Sequence, residues 1–403
     1  MRKHTYYLIL ACLILSLISC TDKRTGYRND IQSDCVMEIT PSDDALRLSE
    51  IIDDYQLILP EGILLASIDK VLIWDSTLIV KGLSPDNGYV HLFDRNGKFI
   101  KTILKGGQGP KEAGMNLSAM KLNGDNLYFL INGGMEMMCY SLKEGQITDR
   151  FRLPEEIFAA CDFEVLDTGL YIFYKDMTRI GGKEYKLYVY DKTKEQIEKR
   201  WIALNKESTS YLSFGQSDCL YKHGGKCYFH EVFQKGIYEV GTDSLQGHVT
   251  FKANKYTMPD NVLYDSYPSL VDFVIFCQGA SYVWAYRSLR EGSRFITATY
   301  QVGKDYYWHV MDKKEQLSHS YARIEDDVLL EAEISLKDYM FQTNIQEDMR
   351  IFSLPYDLLD GVMQKKDSGQ LVAFAHKNPK LMNIYQHMNE DSNEIIVMFH
   401  EKR

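Results

Sequence analysis

The sequence lacks the short motifs by which most hydrolases and zinc sites are recognised. It contains no G-x-S-x-G or H-E-x-x-H pattern, no C-x-x-C pair and no zinc-knuckle spacing. Helical periodicity is scarce, and beyond the N-terminal leader no stretch reaches the roughly 18 apolar residues of a transmembrane helix. We therefore predict no catalytic residue, no metal ligand and no cofactor, and we expect the body of the protein to be soluble.

The sequence also lacks an excess of basic residues. Its 46 Lys and Arg are outnumbered by 56 Asp and Glu, which gives a formal net charge of -10. Nucleic-acid binding depends on a positively charged footprint, so we predict no nucleic-acid partner. A net negative charge of this kind usually serves to keep a protein soluble.

The N-terminus has the pattern of an export signal. Arg2 and Lys3 precede an apolar stretch at residues 6–18, which is too short to span a membrane and suits the core of a signal peptide. The stretch ends in Leu17-Ile18-Ser19-Cys20, which resembles the lipobox of bacterial lipoproteins. This resemblance implies a signal peptide over residues 1–19 and lipid attachment at Cys20. The alternative is an ordinary leader in which the cysteine is a coincidence.

The segment after this cysteine, residues 20–35, is polar and without periodicity, which predicts a flexible tether. Some lipoproteins of anaerobes carry several acids here that direct them to the cell surface. In this sequence Asp22 stands alone before Lys23 and Arg24. We therefore expect a monomer anchored by lipid to the outer membrane, with the periplasmic face favoured over the cell surface.

From residue 36 onwards the chain repeats one pattern of four short strands. Tyrosine (28) and phenylalanine (18) are plentiful, and aromatic residues favour β-sheets. The clearest copy is a hairpin whose arms, 89–93 and 99–104, are joined by Asp94-Arg95-Asn96-Gly97, because Asn-Gly supplies the positive φ angles of a tight turn. The cycles recur every 45–65 residues or so, and this periodicity is typical of a β-propeller.

We predict an all-β fold, a single six-bladed β-propeller over residues 36–403 with four antiparallel strands per blade. Seven blades are the alternative if Asp305 to Ser353 contains another one. A small helical insert is predicted near residues 329–341 and a short helix at 358–363, whereas residues 271–277 and 369–375 are predicted as strands. Closure of the ring is expected to pair the C-terminal strand 394–399 with N-terminal chain, preferably Val36–Ile39.

Two segments carry a resemblance to a known family. Phe93-Asp94-Arg95-Asn96-Gly97-Lys98-Phe99-Ile100 and the glycine-rich segment that begins at Gly106 resemble the 6-bladed β-propeller lipoproteins of Gram-negative anaerobes. Lys111 stands where that family usually has glycine, and Ala113 where it usually has an aromatic residue. The resemblance implies NHL-like blades and an exported, lipid-anchored protein. It implies no biochemical activity.

The glycine-rich loop has two interpretations. Consecutive glycine amides can cradle an anion, but the loop matches neither a Walker P-loop nor a dinucleotide fingerprint. The simpler interpretation is a crossing from one blade to the next, which glycine and proline make easy. The motif residues of this loop are Gly106, Gly107, Gln108, Gly109, Pro110 and Glu112.

Three other groups of residues invite a functional interpretation. Cys219 and Cys227 lie on the arms of a hairpin, where a disulfide or two buried thiols would fit. His230-Glu231 would point to opposite faces of a strand, which disfavours a metal site. Tyr306–His309 could stack on a sugar, although alternation favours packing between blades.

The sequence favours a binding or scaffold module for a protein, peptide or glycan over an enzyme. The alternative is a lyase or hydrolase with its site at the central channel.

Overall fold

The computed structural model describes residues 31–114, 116–176, 185–203, 218–263, 267–336, 344–346 and 348–403. Within them no helix is long and apolar enough to cross a membrane. The strands in chain order are β1 (Val36–Glu38), β2 (Ala45–Arg47), β3 (Ile52–Ile58), β4 (Lys70–Trp74), β5 (Thr77–Lys81), β6 (Gly88–Asp94), β7 (Phe99–Lys105), β8 (Leu117–Asn123), β9 (Asn126–Ile131), β10 (Glu136–Ser141), β11 (Gln146–Arg152), β12 (Asp162–Asp167), β13 (Leu170–Tyr174), β14 (Tyr185–Asp191), β15 (Gln196–Ala203), β16 (Leu220–His223), β17 (Lys226–Phe229), β18 (Gly236–Val240), β19 (Leu245–Lys252), β20 (Val283–Glu291), β21 (Phe295–Val302), β22 (Asp305–Asp312), β23 (Leu317–Tyr321), β24 (Arg323–Asp326), β25 (Ala332–Ile334), β26 (Asn344–Gln346), β27 (Met349–Leu354) and β28 (Ile395–Glu401). The helices are α1 (Leu270–Gly279), α2 (Tyr356–Met363), α3 (Ser368–Lys377) and α4 (Pro379–His387).

Five sheets contain an antiparallel meander of four consecutive strands: β4–β7, β8–β11, β12–β15, β16–β19, to which β1 is added, and β20–β23. The turn between the third and fourth strand is built by an aspartate in three of them. The Oδ1 atoms of Asp94, Asp191 and Asp312 each accept hydrogen bonds from two backbone amides of the following turn. The predicted hairpin at residues 89–104 is confirmed, with φ of +91° at Gly97. These local turns explain why the repeat was visible in the sequence.

The ring closes through a sheet that combines both ends of the chain, in the order β26-β27-β28-β3. The pairing of the C-terminal strand with N-terminal chain is thus confirmed, but the predicted partner Val36–Ile39 is wrong. Strand β28 pairs antiparallel with six residues of β3, which is seven residues long. Val36–Glu38 is only three residues long and pairs parallel with β19, while Met37 is buried in the core beside it.

The predicted count of six blades is wrong, because the described residues form seven sheets. The additional sheet consists of β2, from the N-terminal part of the chain, and of β24 and β25, which lie within the stretch where the seventh blade was considered. Its strands have only three or four residues, so alternation of apolar and polar side chains could not reveal them. The predicted helical insert is wrong at Ala332–Ile334, which forms β25, and residues 337–343 lie outside the described residues.

The four helices α1 to α4 lie outside the predicted insert. Helices α2, α3 and α4 form an insertion between β27 and β28 and pack on the largest hydrophobic cluster, next to the closing sheet. A helix at 358–363 was predicted and is confirmed within α2. The predicted strands at 271–277 and 369–375 are wrong, since these residues form α1 and α3.

Asp326, at the end of β24, provides a test of the additional sheet. Its carboxylate is buried and accepts hydrogen bonds from the backbone amides of Val328 (3.1 Å) and Leu329 (2.7 Å). Burial raises the pKa of Asp326 to about 6, although the backbone hydrogen bonds lower it. A carboxyl whose pKa is higher in the folded state binds its proton more tightly there. Its ionisation therefore costs stability as the pH rises from about 4 to above 6.

We expect Asp326→Asn to gain about 2 kcal/mol in the free energy of unfolding, relative to the wild type, between pH 4.5 and pH 7.5. The amide keeps an oxygen acceptor for the turn but cannot ionise. Urea unfolding at both pH values measures the change, and Asp391→Asn, at an exposed turn, controls for loss of a carboxylate as such. A difference between Asp326→Asn and wild type that does not change with pH would contradict the expectation.

Candidate functional site

The first strands of five consecutive sheets line one cavity in the channel of the propeller. Its volume is about 590 Å³. The wall comes from β4, β8, β12, β16 and β20, and the turn between β26 and β27 contributes Asp348. The apolar lining residues are Leu72, Met120, Leu122 and Leu220. The charged lining residues are Lys70, Lys121, Glu164, Asp218, Lys222, Arg290, Glu291 and Asp348.

Charged side chains connect opposite walls of this cavity. Lys70 on β4 donates to the Oδ1 atom of Asp218, which precedes β16, at 2.5 Å. Lys121 on β8 donates to the backbone oxygen of Leu220 at 2.6 Å and lies 3.2 Å from Asp162 on β12. These bonds link the first, second, third and fourth sheets. The site therefore depends on the closed ring, because no two neighbouring sheets contain all of its groups.

Asp218 is the centre of the network. Besides Lys70, it has Lys121 and Arg290 as ion-pair partners, each at 3.8 Å. Burial raises the pKa of Asp218, but these three cations outweigh it and hold the pKa well below its ordinary value. Its backbone has φ of +63°, in the left-handed region where aspartate is tolerated better than most residues. The residue that pairs with all three cations therefore has an uncommon backbone conformation.

Two more acids lie on β12. Asp162 is fully buried, and its Oδ2 atom accepts a hydrogen bond from the backbone amide of Leu220 at 2.8 Å. Glu164 is 4% exposed, and its Oε1 atom accepts from the backbone amide of its neighbour Val165 at 3.0 Å. Burial raises the pKa of both acids, and Lys121 opposes this effect. Within the described part of the chain Asp162 has an ion-pair partner in Lys121, whereas Glu164 has none.

The glycine-rich loop predicted from the sequence lies away from this cavity. The backbone amide of Gly109 donates to the Oε2 atom of Glu112 at 2.6 Å, and a Cβ atom at Gly107 (φ +145°) would lie 2.0 Å from the same carboxylate. Arg150 from β11 donates to the backbone oxygen of Pro110 at 2.9 Å. The anion held by this loop is therefore its own glutamate.

The other candidates are separated from one another. The Nδ1 atom of His230 bonds to the backbone oxygen of Gly236 at 2.9 Å, while Glu231 is paired with Lys186 inside the protein. No group of three His, Cys, Asp or Glu side chains among the described residues could hold a metal ion.

The hairpin cysteines and the aromatic segment lie in the interior. Cys227 lies opposite Lys222 in the hairpin, and the backbone oxygen of Cys219 accepts a hydrogen bond from the backbone amide of His230, so the two cysteines are not cross-strand partners. In the segment 306–309, Trp308 and His309 are buried and Tyr307 stacks on Tyr300. Cys20 lies outside the described residues.

Sequence interpretation missed every member of the charged network. A signal was present, because each first strand carries a charged residue within an otherwise apolar run, as in Lys70-Val71-Leu72-Ile73-Trp74 and Asp162-Phe163-Glu164-Val165-Leu166. A charge in a strand that is buried on both faces needs a partner or a function. Because these charged strands recur once per blade, the pattern could have identified the strands that line the channel. It could not have shown which charged side chains pair across the channel.

Comparison with known proteins identifies the family and the fold. A family model described as "Domain of unknown function (DUF4934)" matches residues 34–400. The crystal structure of a "Putative exported protein" from Bacteroides fragilis is similar with a TM-score of 0.68 and 17% sequence identity, over 91% of this chain and 99% of that one. The structure of U3-55K matches with a TM-score of 0.41 and 8% identity, over 86% of this chain and 98% of that one. No curated protein matches the sequence significantly.

Proposed function

The chain belongs to the DUF4934 family, a domain of unknown function, and we propose that it is an exported binding module that holds a small ligand in the channel cavity. The observation that carries the proposal is the cavity itself. Its volume of about 590 Å³ lies within the range of small-molecule sites, and it combines apolar walls with a few convergent charged groups. A larger protein or glycan partner would insert one end into this cavity.

The cavity has the chemistry of a binding site rather than of a packed core. Four cations and four acids line it, and Lys70 and Arg290 keep 15% and 17% of their side-chain surface exposed. Buried charges are costly unless they are paired, so a channel that served only stability would be expected to hold apolar side chains instead. The retained charges support recognition of a polar ligand.

Export and attachment to the membrane complete the proposal. They rest on the basic N-terminus, the short apolar stretch and Cys20 in its lipobox. Lipid attachment at Cys20 would hold the propeller at the outer membrane, with the periplasmic face favoured. Metabolic labelling with a palmitate analogue tests this part, and a Cys20→Ala variant that still incorporates the label would contradict it.

We expect defined small molecules to stabilise the protein through the cavity. The full chain is screened by thermal unfolding against amino acids, dipeptides, peptide amides, monosaccharides and disaccharides. Leu122→Trp places an indole into the cavity from a half-buried position on β8 and should abolish every shift that the wild type gives. Leu317→Trp, at a 70% exposed position on β23, is the matched control and should leave the shifts unchanged. A panel without shifts, or equal shifts in Leu122→Trp, would refute binding in the cavity.

A further inference from the structure

We propose that the channel cavity recognises a free carboxylate through Lys70 and Arg290, and that its ligand is an α-amino acid or a short peptide with a free C-terminus. This inference rests on the proposed function and specifies its ligand. It is based on the distribution of hydrogen-bond donors and acceptors that the network leaves for a ligand.

The donors that remain for a ligand are concentrated on these two cations. An ammonium group has three N–H donors, and within the described part of the chain Lys70 uses one of them, on Asp218 at 2.5 Å. A guanidinium group has five, and within the described residues Arg290 makes one hydrogen bond, to the backbone oxygen of Leu289 at 2.6 Å, while Asp218 lies 3.8 Å away. Both side chains line the cavity, so their remaining donors can bind a ligand oxygen.

The charge balance at this end of the cavity favours an anion. Lys121 is occupied by Asp162 and by the backbone oxygen of Leu220. Among the described residues Asp218 is then the ion-pair partner that Lys70 and Arg290 share. One positive charge remains uncompensated where these two side chains converge. A carboxylate suits this position, because charge-assisted hydrogen bonds to its two oxygens are stronger than bonds to a neutral carbonyl.

The rest of the lining suits the remainder of an amino acid or peptide. Glu164 faces the cavity without an ion-pair partner among the described residues, and Lys121 and Lys222 are cations that lower its pKa. It is an acceptor for an ammonium or amide N–H. Leu72, Met120 and Leu122 offer an apolar surface for a side chain. Among Phe, Tyr and Trp side chains the described lining contains Tyr221 alone, whose hydroxyl group donates to Glu291 and whose ring stacks on Tyr228, so a sugar would find little aromatic surface there.

The test compares four probes by isothermal titration calorimetry on the full chain. They are the dipeptide Ala-Leu, its C-terminal amide Ala-Leu-NH2, leucine and glucuronate. We expect Ala-Leu to bind at least about tenfold more tightly than its amide, since a hydrogen bond to a charged group contributes about 1.5–3 kcal/mol. Comparing leucine with Ala-Leu shows whether the natural ligand is a free amino acid or a peptide. Glucuronate shows whether a carboxylate is sufficient for binding without an apolar side chain.

Two variants with the same change of charge separate recognition from general electrostatics. Lys70→Met should weaken Ala-Leu about tenfold or more and should leave the weaker binding of the amide unchanged. Lys226→Met removes an exposed lysine that pairs with Glu239 on the same face of β17 and β18, outside the cavity, and should bind like the wild type. If Lys70→Met unfolds at a lower temperature than wild type, Lys70→Arg, which keeps the charge, should restore both stability and binding.

The possible outcomes separate this inference from the proposed function. Equal affinity for the acid and the amide, or equal effects of Lys70→Met and Lys226→Met, would refute carboxylate recognition. Binding of neutral probes that Leu122→Trp abolishes would in that case still support a ligand site in the cavity. Tighter binding of glucuronate than of Ala-Leu would also overturn the inference, because it would assign the carboxylate to a sugar acid. Absence of heat with all four probes would refute it outright.

Discussion

Replacing Arg350 with methionine is expected to lower the free energy of unfolding by about 3–5 kcal/mol, because it leaves a buried carboxylate without its cation. Arg350 lies on β27 and forms an ion pair with Glu401, at the end of β28, and the two residues are 3% and 4% exposed. Its Nη1 atom also donates to the Oγ1 atom of Thr297 on β21 at 3.0 Å. The substitution therefore weakens the closing sheet and its contact with the preceding one.

A second variant distinguishes the cost of the orphaned charge from the loss of packing. Arg350→Met combined with Glu401→Leu removes both charges and should recover more than half of the lost stability. Arg323→Met removes an arginine that is paired at the surface with Glu333, and it should cost less than about 1 kcal/mol. Urea unfolding measures all three variants. An Arg350→Met variant no less stable than Arg323→Met would show that the buried pair does not hold the ring closed.

The parts of the fold that could be predicted from the sequence are those fixed by neighbouring residues. The hairpin between β6 and β7 needs only Asp94 to accept from two amides of its turn and Gly97 to adopt a positive φ angle. Both requirements are visible in a stretch of about ten residues. The same kind of turn recurs from blade to blade. The sequence therefore shows the period of the repeat, and this period predicts the propeller class.

The parts that were missed depend on residues far apart in the chain. Strand β2 pairs with β24 although about 280 residues separate them, and both are too short to carry a periodic pattern. The choice of β3 over β1 for closure is likewise a competition between distant segments. Which of two strands pairs is decided by burial in the assembled ring and not by the local preference of the residues for β-structure.

One missed element had a local signal. Helix α3 begins with a capping box in which Asp367 accepts from the backbone amide of Gln370 and Gln370 accepts from that of Asp367. Aspartate followed three residues later by glutamine is a known start of a helix. The glycine and the apolar residues at 369–375 were interpreted as a strand instead, although the cap should have taken precedence.

The candidate site was hidden for the same reason as the ring closure. Lys70, Lys121, Asp162 and Arg290 lie on the first strands of four different sheets, and Asp218 precedes the first strand of another. What makes them a site is that the first strands converge on one channel. Sequence could suggest that each charge needs a partner, but only the closed ring determines which partner it has.

Two buried histidines lead to the second large effect, a loss of stability in mild acid. Burial lowers the pKa of His230 to about 4 and that of His309 to about 3. Burial keeps both side chains in the neutral form, although the hydrogen bond from His230 to the backbone oxygen of Gly236 raises the pKa of His230; the Nδ1 atom of His309 bonds to the hydroxyl group of Ser320 at 2.8 Å. In the unfolded chain a histidine takes up its proton near pH 6.5. Their contribution to stability is therefore complete above about pH 6.5 and is lost as the pH falls towards 4.

We expect the double variant His230→Gln and His309→Gln to gain about 4 kcal/mol in the free energy of unfolding, relative to the wild type, when the pH is lowered from 7.5 to 5. Each histidine contributes about 2 kcal/mol of this change, because glutamine can replace one hydrogen bond but cannot bind a proton. The comparison with wild type cancels the buried acids, such as Asp326, whose ionisation has the opposite dependence on pH. His376→Gln, at an exposed position on α3, should change by less than about 0.5 kcal/mol over the same interval. His376 serves as the control because its side chain is exposed. If the double variant and His376→Gln responded equally to pH, the two buried histidines would become protonated without unfolding the propeller, and the expectation would be wrong.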